Sequence, residues 1–421
     1  MVSAHTNILL GVSGGIAAYK VCEVISTLAK SGAAVRVLMT QQSQQFVSAL
    51  TFAALSRHRV YTDADFWSAR QGRPLHIELG EWADVFILAP LTAHTLAKLA
   101  GGLADNLLTN TVLASVCPIL LAPAMNTDMW QQAAVQRNWH QLLSDSRYHA
   151  VGPGTGRLAC DRIGSGRMAE PAEIVAYISS LLHTQGHRDL AGKHLLISAG
   201  STREHLDPVR FIGNPATGRM GIALALAAQH RGAEVTLVHG PLTPELAATL
   251  PTGLRTIALT TAAEMEQAMI TQLSQANWVI MAAAVADVRP VHTAPHKLPK
   301  KELPRELSLE AVQDIVTQLA ERKSASQRVI GFAAQTGDIV TPAIAKLQQK
   351  QLDAIVANPI DQPGSGFGSA DNRAVILSAD GRQLKVSQCS KLQLAHHLYD
   401  FLLDTFSAGD PTQERSETEY H

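Results

Sequence analysis

The 421-residue sequence predicts an α/β protein of two Rossmann-like three-layer domains, and three observations predict it. An apolar run, a glycine-bearing turn and a helix-length segment follow one another in "NILLGVSGGIAAYK" from Asn7, and a similar unit opens with "HLLISAGSTREHLD" at His194. Further apolar runs succeed each unit: "GAAVRVLMT" from Gly32 and "WADVFILAP" from Trp82, then "GAEVTLVHG" from Gly232 and "NWVIMAAAVAD" from Asn277. Continuous apolar strands separated by helix-length segments belong to parallel sheets covered on both faces. A chain of this length also exceeds the usual range of one core.

Taken in order, residues 8–10 read as a strand, 13–15 as a turn and 17–30 as a helix. "CPILLAPAMNTDMW" supplies a later strand, and a helix runs from Pro171 to about residue 182. The boundary falls in "HTQGHRDLAGK", where Gly186 is the most flexible point. The expected division is a first domain at 1–185, a linker at 186–190 and a second domain at 191–407. In the second half, residues 195–198 form a strand and a helix begins at Gly218. "RVIGFAA" and "LDAIVANPI" follow as strands, "NRAVILSADG" as a β-hairpin, and residues 391–403 as a closing helix. Residues 408–421 show no periodicity and read as a disordered tail.

Composition narrows the function classes. The chain is 46% hydrophobic and 17% charged with a net charge of -1, as in a globular protein without long-range attraction for polyanions. Acidic residues interrupt its one basic stretch, "KLPKKELPR", so no nucleic-acid partner is expected. No apolar run reaches the roughly 18 residues of a membrane span, and the first residues lack the basic start of a signal peptide. Cys22, Cys117, Cys160 and Cys389 form no CxxC pair or ligand cluster, which favours a reducing, cytoplasmic setting.

Neither glycine turn matches the dinucleotide GxGxxG or the P-loop pattern. "GVSGGIAAYK" nevertheless has the physics of anion capture: glycines admit close backbone approach, first-turn amides point outward, and Ser13 adds a hydroxyl. An ordinary tight strand-to-helix turn is the alternative, with Lys20 solvated. Asn126, in "LAPAMNTDMW", is either an amide clamp for a carboxylate or an Asx-type helix cap. His76, between a polar turn and the Trp82 strand, is a candidate general base or a half-buried packing residue. "TGRLACDRIGSGRMAEP" reads as a mobile flap, since its glycines oppose regular structure, and it carries Cys160 among arginines. The polar stretch "STREHLDPVRFIGNPATGRMG" is too long for a plain connector. Asp287, beyond a buried strand end, and Lys297, Lys300 and Lys301 on the next loop suit polyphosphate chemistry; a solvated basic loop is the alternative.

Together and in order, "GVSGGIAAYK", "PLHIEL", "APAMNTDMW" and "LACDRIGSGRMAEP" resemble the flavin-dependent phosphopantothenoylcysteine decarboxylases. "TREHLDPVRFIGNPATGRMG", "AAAVADVRP", "KLPK" and "GFGSADN" resemble the phosphopantothenate–cysteine ligases. All of the chain except its tail thus resembles the bifunctional family of bacterial coenzyme A biosynthesis. The resemblance implies a flavodoxin-like first domain of the homo-oligomeric flavin-containing cysteine decarboxylase type. It implies that FMN meets Gly11, Ser13, Gly14, Gly15 and Ile16, and that 4'-phosphopantothenoylcysteine is decarboxylated to 4'-phosphopantetheine after flavin oxidation of its thiol creates an electron sink. His76 would assist that half-reaction, Asn126 bind the departing carboxylate and Cys160 donate the final proton. In the second domain it implies CTP, 4'-phosphopantothenate and L-cysteine as substrates, an acyl-cytidylate intermediate and Mg²⁺. Asn214 would contact the intermediate, Asp287 the nucleotide or its metal, and Lys297 the activated centre, with Lys300, Phe332 and Lys350 near the nucleotide. Trimers of the first domain and dimers of the second, combining to a dodecamer, are implied as well.

Four positions depart from the family pattern. Asp161 stands where glycine usually follows the flap cysteine, a strained choice if φ is positive there. Gln335 replaces a common glutamate, Val312 and Gln313 an Asn-Pro pair, and Pro359 an acidic residue. The competing functions are a decarboxylase with a silent ligase domain, a non-catalytic flavin-binding regulator, and a nicotinamide dehydrogenase, which the missing GxGxxG opposes.

Overall fold

The computed structural model describes residues 6–407 apart from 69–71, 160, 252, 362–365, 367 and 370. Cys160 and the tail 408–421 lie outside the described residues. The chain divides into two compact units, Met1–His187 and Arg188–His421.

In the first unit, alternation along one strand explains the layers. Ile8, Leu10 and Val12 of strand Asn7–Val12 are buried with residues of helices Ala18–Lys30 and Pro171–Thr184. Leu9 joins the opposite core, with residues of helices Leu75–Trp82, Leu107–Ala114 and Ala133–Leu143. Both faces are therefore covered, as a parallel sheet requires. Across the sheet the strands run Val60–Thr62, Ala34–Met39, Asn7–Val12, Val85–Leu91, Ile119–Pro123, Tyr148–Ala150, all parallel. Without the three-residue edge strand Val60–Thr62 this is the flavodoxin-like order. Trp82 ends a helix instead of opening a strand, so His76 sits on a helix ahead of strand Val85–Leu91.

The segment expected to be an irregular flap is a β-hairpin, Gly154–Arg157 against Ile163–Arg167. Its glycines serve close approach. A Cβ on Gly166 would stand 2.3 Å from the Met125 carbonyl oxygen, and one on Gly164 2.5 Å from Thr127 Oγ1. Their bare backbone lets the hairpin lie on residues 125–127, where the Met125 amide donates to Gly166 O at 2.9 Å. Asp161 at the tip has φ +65°, the left-handed conformation that glycine adopts freely, and pairs with Arg157 at 2.8 Å.

The second unit repeats the plan and extends it. Its parallel strands run Arg255–Ala258, Glu234–His239, His194–Ala199, Trp278–Met281, Arg328–Gln335, Ala354–Pro359, followed by the antiparallel pair Asp371–Ser378 and Gln383–Ser390. The first six follow the Rossmann order 3-2-1-4-5-6. Leu195, Ile197 and Ala199 pack with helices Arg219–His230 and Lys391–Ser407; Leu196 faces helices Ala262–Leu273, Ile315–Arg322 and Val340–Gln349. The apolar run from Asn277 leaves the sheet after Met281, and residues 282–287 continue as a loop. The polar stretch after His194 contains a second hairpin, Arg203–His205 against Phe211–Gly213.

Arg231, 2% exposed, joins the start of this unit to its closing helix. It donates to both Asp189 carboxylate oxygens at 2.7 and 2.5 Å, to Asp400 Oδ1 at 2.7 Å and to the His396 carbonyl at 3.1 Å. A guanidinium so completely partnered is tolerated in an apolar layer.

Helix Arg219–His230 approaches its strand through Gly221, where an added Cβ would lie 2.4 Å from Ala199 Cβ. Gly221→Val is expected to destabilise the second unit by about 1–3 kcal/mol, the usual cost of overpacking. Denaturant unfolding followed by tryptophan fluorescence, with a probe in each unit, checks this; the transition of the first unit should not move.

Candidate functional site

A parallel sheet binds ligands outside the carboxyl ends of its strands, where strand order reverses. In the first unit that point lies between Asn7–Val12 and Val85–Leu91. A cavity of about 520 Å³ opens there, lined by Gly14, Gly15 and Ile16 from one strand end and Thr92 and His94 from the other. Met125, Asn126 and Met129 add a third side, and Arg157, Leu158 and Arg167 of the hairpin a fourth.

The glycine turn lies tight against its neighbours. A Cβ on Gly14 would meet Gln42 Cβ at 2.4 Å, and one on Gly15 would meet Thr92 Cγ2 at 3.3 Å. The amides of Ala18, Tyr19 and Lys20 are taken by the carbonyls of Gly15, Ile16 and Ala17. Among the described residues no carbonyl accepts from the amides of residues 14–17, which leaves these as the donors for an anion. Lys20 is not simply solvated. It lines the cavity and pairs with Glu170 at 3.1 Å, and Glu170 also takes Arg167 at 2.7 Å.

Gly11 and Ser13 do not line this cavity. Gly11 lies inside the sheet, where a Cβ would stand 2.7 Å from Leu88 Cδ2, so it serves packing. Ser13 is buried; its hydroxyl donates to Pro90 O at 2.5 Å and accepts from the Thr92 amide at 3.0 Å, fastening the two strand ends together. Asn126 is the N-cap of helix Thr127–Gln131, its Oδ1 accepting from the Asp128 amide at 2.8 Å, and it lines the cavity as well. His76 is not among the lining residues. Its Nδ1 is buried without a hydrogen-bond partner among the described residues, and its ring meets Phe66 edge-on at 5.5 Å. Cys160 lies outside the described residues, beside the lining residue Ala159.

In the second unit two cavities flank residues 283–284 and Phe332. The larger, about 410 Å³, brings together Asn214, Asp287, Phe332 and Lys350, residues up to 136 apart in sequence (350 − 214). Gln313, Asp314 and Lys346 also line it. The smaller, about 140 Å³, is lined by Gly200, residues 216–221, Asn358, Asn372 and Lys391. Asn214 is held by its Nδ2, which donates to the Val285 carbonyl at 3.1 Å. Ser198 Oγ accepts from the Ala283 amide at 3.1 Å and Thr202 Oγ1 from Ala286 at 3.0 Å, so the segment carrying Asp287 is stitched to the neighbouring strand end. Lys350 Nζ pairs with Asp314 at 2.5 Å. Lys297 and Lys300 are exposed and line neither cavity; Lys300 begins a short 3-10 turn, Lys300–Glu302.

Several lining residues had a signal that went unread. Thr92 and His94 immediately follow a strand at the switch point. Lys346 stands four residues before Lys350, on the same side of helix Val340–Gln349. Arg157 and Arg167 belong to the arginine-bearing stretch read as a flap; their hairpin was not legible because it has no apolar alternation.

Geometry thus defines the class: a two-unit α/β protein with a largely apolar cavity beside glycine-turn amides unpaired among the described residues in one unit, and a polar cavity of carboxamide, carboxylate and lysines in the other. Residues 2–183 match the family described as Flavoprotein, and residues 190–405 that described as DNA/pantothenate metabolism flavoprotein C-terminal domain. The coenzyme A biosynthesis bifunctional protein CoaBC of Bacillus subtilis (strain 168) is 42% identical over 413 residues, 98% of this chain and 99% of that protein. Its counterpart in Escherichia coli (strain K12) is 41% identical over 386 residues, covering 90% and 93%. A cysteine/cysteine sulfinic acid decarboxylase from an unknown prokaryotic organism is 41% identical over 334 residues, 79% of this chain and 91% of that protein. The chain belongs to the coenzyme A biosynthesis bifunctional protein family.

Ser13→Ala leaves the Thr92 amide without its acceptor and Pro90 O with only the Ser13 amide at 3.4 Å, and is expected to destabilise the first unit by about 1–3 kcal/mol. Denaturant unfolding of the flavin-free protein checks this. A pH test concerns Asp314. Burial pushes its carboxyl up, but Lys350 and the Thr317 amide more than offset this and hold it below the ordinary carboxylate value. A lowered folded pKa contributes stability above the unfolded value of about 3.9, lost as pH falls through the lowered one. The stability gap between wild type and Asp314→Asn should therefore narrow from pH 5 to pH 3 in urea unfolding.

Proposed function

We propose that the chain catalyses two consecutive steps of coenzyme A assembly. Its second unit joins 4'-phosphopantothenate to L-cysteine at the expense of CTP, through an acyl-cytidylate. Its first unit, with FMN, decarboxylates the resulting 4'-phosphopantothenoylcysteine to 4'-phosphopantetheine. The observation that supports this best is that one chain carries two cavities of contrasting chemistry, one in each of the units that match the two family halves.

The first cavity fits a flavin mononucleotide. The amides of residues 14–17 are donors for its phosphate, Ile16, Met125, Met129 and Leu158 are apolar surface for its ring system, and the volume lies within the range of small-molecule sites. Bound there, the flavin supplies the electron sink that a simple carboxylate lacks. The chain's own part is to hold the substrate carboxylate at the Asn126 amide, exclude water beneath the hairpin, and deliver a proton from Cys160. His76 belongs to this reading only if copies of the chain assemble, its ring completing the cavity of a neighbour. Trimers of the first unit satisfy that requirement, and dimers of the second combine with them into a dodecamer.

In the second unit the carboxylate of phosphopantothenate must gain a leaving group before an amine can displace it. Asn214 holds the activated acyl group, and Phe332, Lys346 and Lys350 hold the nucleotide. Asp287 takes a divalent cation, Mg²⁺ by its preference for one or two carboxylates with substrate phosphates. Lys297 stabilises the charge that develops at the phosphoryl–carboxylate centre. The free thiols of Cys22, Cys117 and Cys389 suit action in the cytoplasm.

The test supplies purified flavin-loaded protein with 4'-phosphopantothenate, cysteine, CTP and Mg²⁺ and follows pyrophosphate and 4'-phosphopantetheine. Parallel reactions contain ATP in place of CTP, chelator in place of Mg²⁺, preformed phosphopantothenoylcysteine, or cysteine alone. Both products are expected from the full mixture, and neither after chelation. Decarboxylation of preformed substrate alone would overturn the ligase half. Turnover of free cysteine in preference to phosphopantothenoylcysteine would overturn the substrate of the first unit.

A further inference from the structure

Asp207 has no part in the reaction just described, yet its carboxylate is among the most completely engaged in the second unit. It is fully buried at the tip of the hairpin Arg203–His205/Phe211–Gly213. Its Oδ1 accepts from the amides of Val209 and Arg210, both at 2.8 Å. Its Oδ2 accepts from Arg210 Nη1 at 2.6 Å and from the amide of Leu298 at 3.2 Å. The first three bonds close a local turn. The fourth crosses 91 residues to the neighbour of Lys297.

The same loop is tied to the same hairpin at three more points. Arg210 Nη1 also donates to the Leu298 carbonyl at 3.2 Å, so both backbone groups of Leu298 are held. The Ala294 amide donates to Leu206 O at 2.9 Å, and Thr293 Oγ1 to the His205 carbonyl at 2.9 Å. The base of the hairpin leads directly into Asn214, which lines the larger cavity and is fixed to Val285. One short hairpin therefore carries Asn214 at its base and holds the backbone beside Lys297 at its tip.

We infer that Asp207 is a positioning residue for ligation: its buried carboxylate fixes the loop of residues 293–298 to the hairpin, and so sets where Lys297 stands relative to Asn214. The inference rests on the proposed part of Lys297 at the activated centre. Burial alone would push the Asp207 carboxyl up, but the amides of Val209, Arg210 and Leu298 and the Arg210 guanidinium outweigh it and hold it at about 2. Asp207 is thus an ionised acceptor at neutral pH, and an amide in its place offers one acceptor atom where the structure uses two. Lys297 is exposed and lines neither cavity, so its place is set by its loop, and the Asp207 and Arg210 bonds to Leu298 are the ties nearest to it.

The experiment measures pyrophosphate release by the full-length, flavin-loaded protein with CTP, 4'-phosphopantothenate, cysteine and Mg²⁺. It compares wild type, Asp207→Asn, Lys297→Met and the double variant, with decarboxylation of preformed substrate as the check that the first unit is unaffected. Asp207→Asn is expected to lower ligase kcat by about 10- to 100-fold, the scale of a misplacement near 1 Å, with KM for CTP changed far less. In the Lys297→Met background the same substitution should lower the residual rate no more than about two-fold, because the group it positions is gone. An equal factor in both backgrounds, with Lys297→Met itself impaired, would overturn the positioning role alone. A wild-type rate for Lys297→Met would overturn the part given to Lys297, and the inference with it. If Asp207→Asn unfolds the second unit, Asp207→Glu replaces it in the same cycle. That variant keeps the charge and both acceptor oxygens but moves them on a longer side chain away from the Leu298 amide, and the same non-additive loss is expected.

Discussion

Parallel strands covered by helices on both faces leave a chain only two edges at which to expose polar backbone, and every crossover returns the chain to the same one. At the carboxyl edge the strand ends diverge where the order reverses, and a crevice opens without any side chain having to be removed. Both units obey this constraint. The first cavity lies between the ends of Asn7–Val12 and Val85–Leu91, and the smaller cavity of the second unit between the ends of His194–Ala199 and Trp278–Met281, while the larger one lies beside it against the ends of Trp278–Met281 and Arg328–Gln335. Burial on the two faces is what makes the edge available. Leu9 and Leu10, successive residues of one strand, belong to different cores.

A crevice defined by diverging strands still needs its walls fixed, and small polar side chains do this. Ser13 fastens the first switch point by bonding Pro90 and Thr92. Ser198, Thr202 and Asn214 do the same in the second, bonding Ala283, Ala286 and Val285. Each bond satisfies a backbone group that the sheet has released, and for the two that are fully buried, at Pro90 and Ala286, its loss costs more than its formation contributes. The hairpin glycines act by subtraction instead. Gly164 and Gly166 have no Cβ to hold the hairpin off Met125 and Thr127.

Most of the architecture was legible because its period was. Strands buried on both faces read as unbroken apolar runs, and the Arg203–His205 and Gly154–Arg157 hairpins escaped because neither has such a run. Trp82 was misread for a related reason: the apolar residues of helix Leu75–Trp82 abut strand Val85–Leu91 with only Ala83 and Asp84 between. At the sites, residue type was legible but its use was not. Nothing in "GVSGG" distinguishes Gly14, which lines a cavity, from Gly11, which packs against Leu88. Nor does sequence reveal that the Ser13 hydroxyl is already engaged, because its partners are 77 and 79 residues away.

The departures from the family pattern divide by the same geometry. Gln335 and Pro359 are register partners at the ends of adjacent strands, Arg328–Gln335 and Ala354–Pro359, and neither lines a cavity. Proline is tolerated at such a strand end, where the ladder closes with the next residue: the Ile360 amide donates to Gln335 O at 3.0 Å. Any effect they have on the smaller cavity must pass through the neighbours Ala334 and Asn358, which do line it. Gln313 is different, because it lines the larger cavity itself. Its Oε1 accepts from Gln318 Nε2 at 2.8 Å, and the same Gln318 nitrogen donates to Glu266. A neutral carboxamide held by another neutral carboxamide leaves Asp314 as the nearest charge in that segment, and Asp314 is already paired with Lys350. Charge in the larger cavity therefore rests on Asp287 and Lys346, the two ionic side chains there with no ion-pair partner among the described residues.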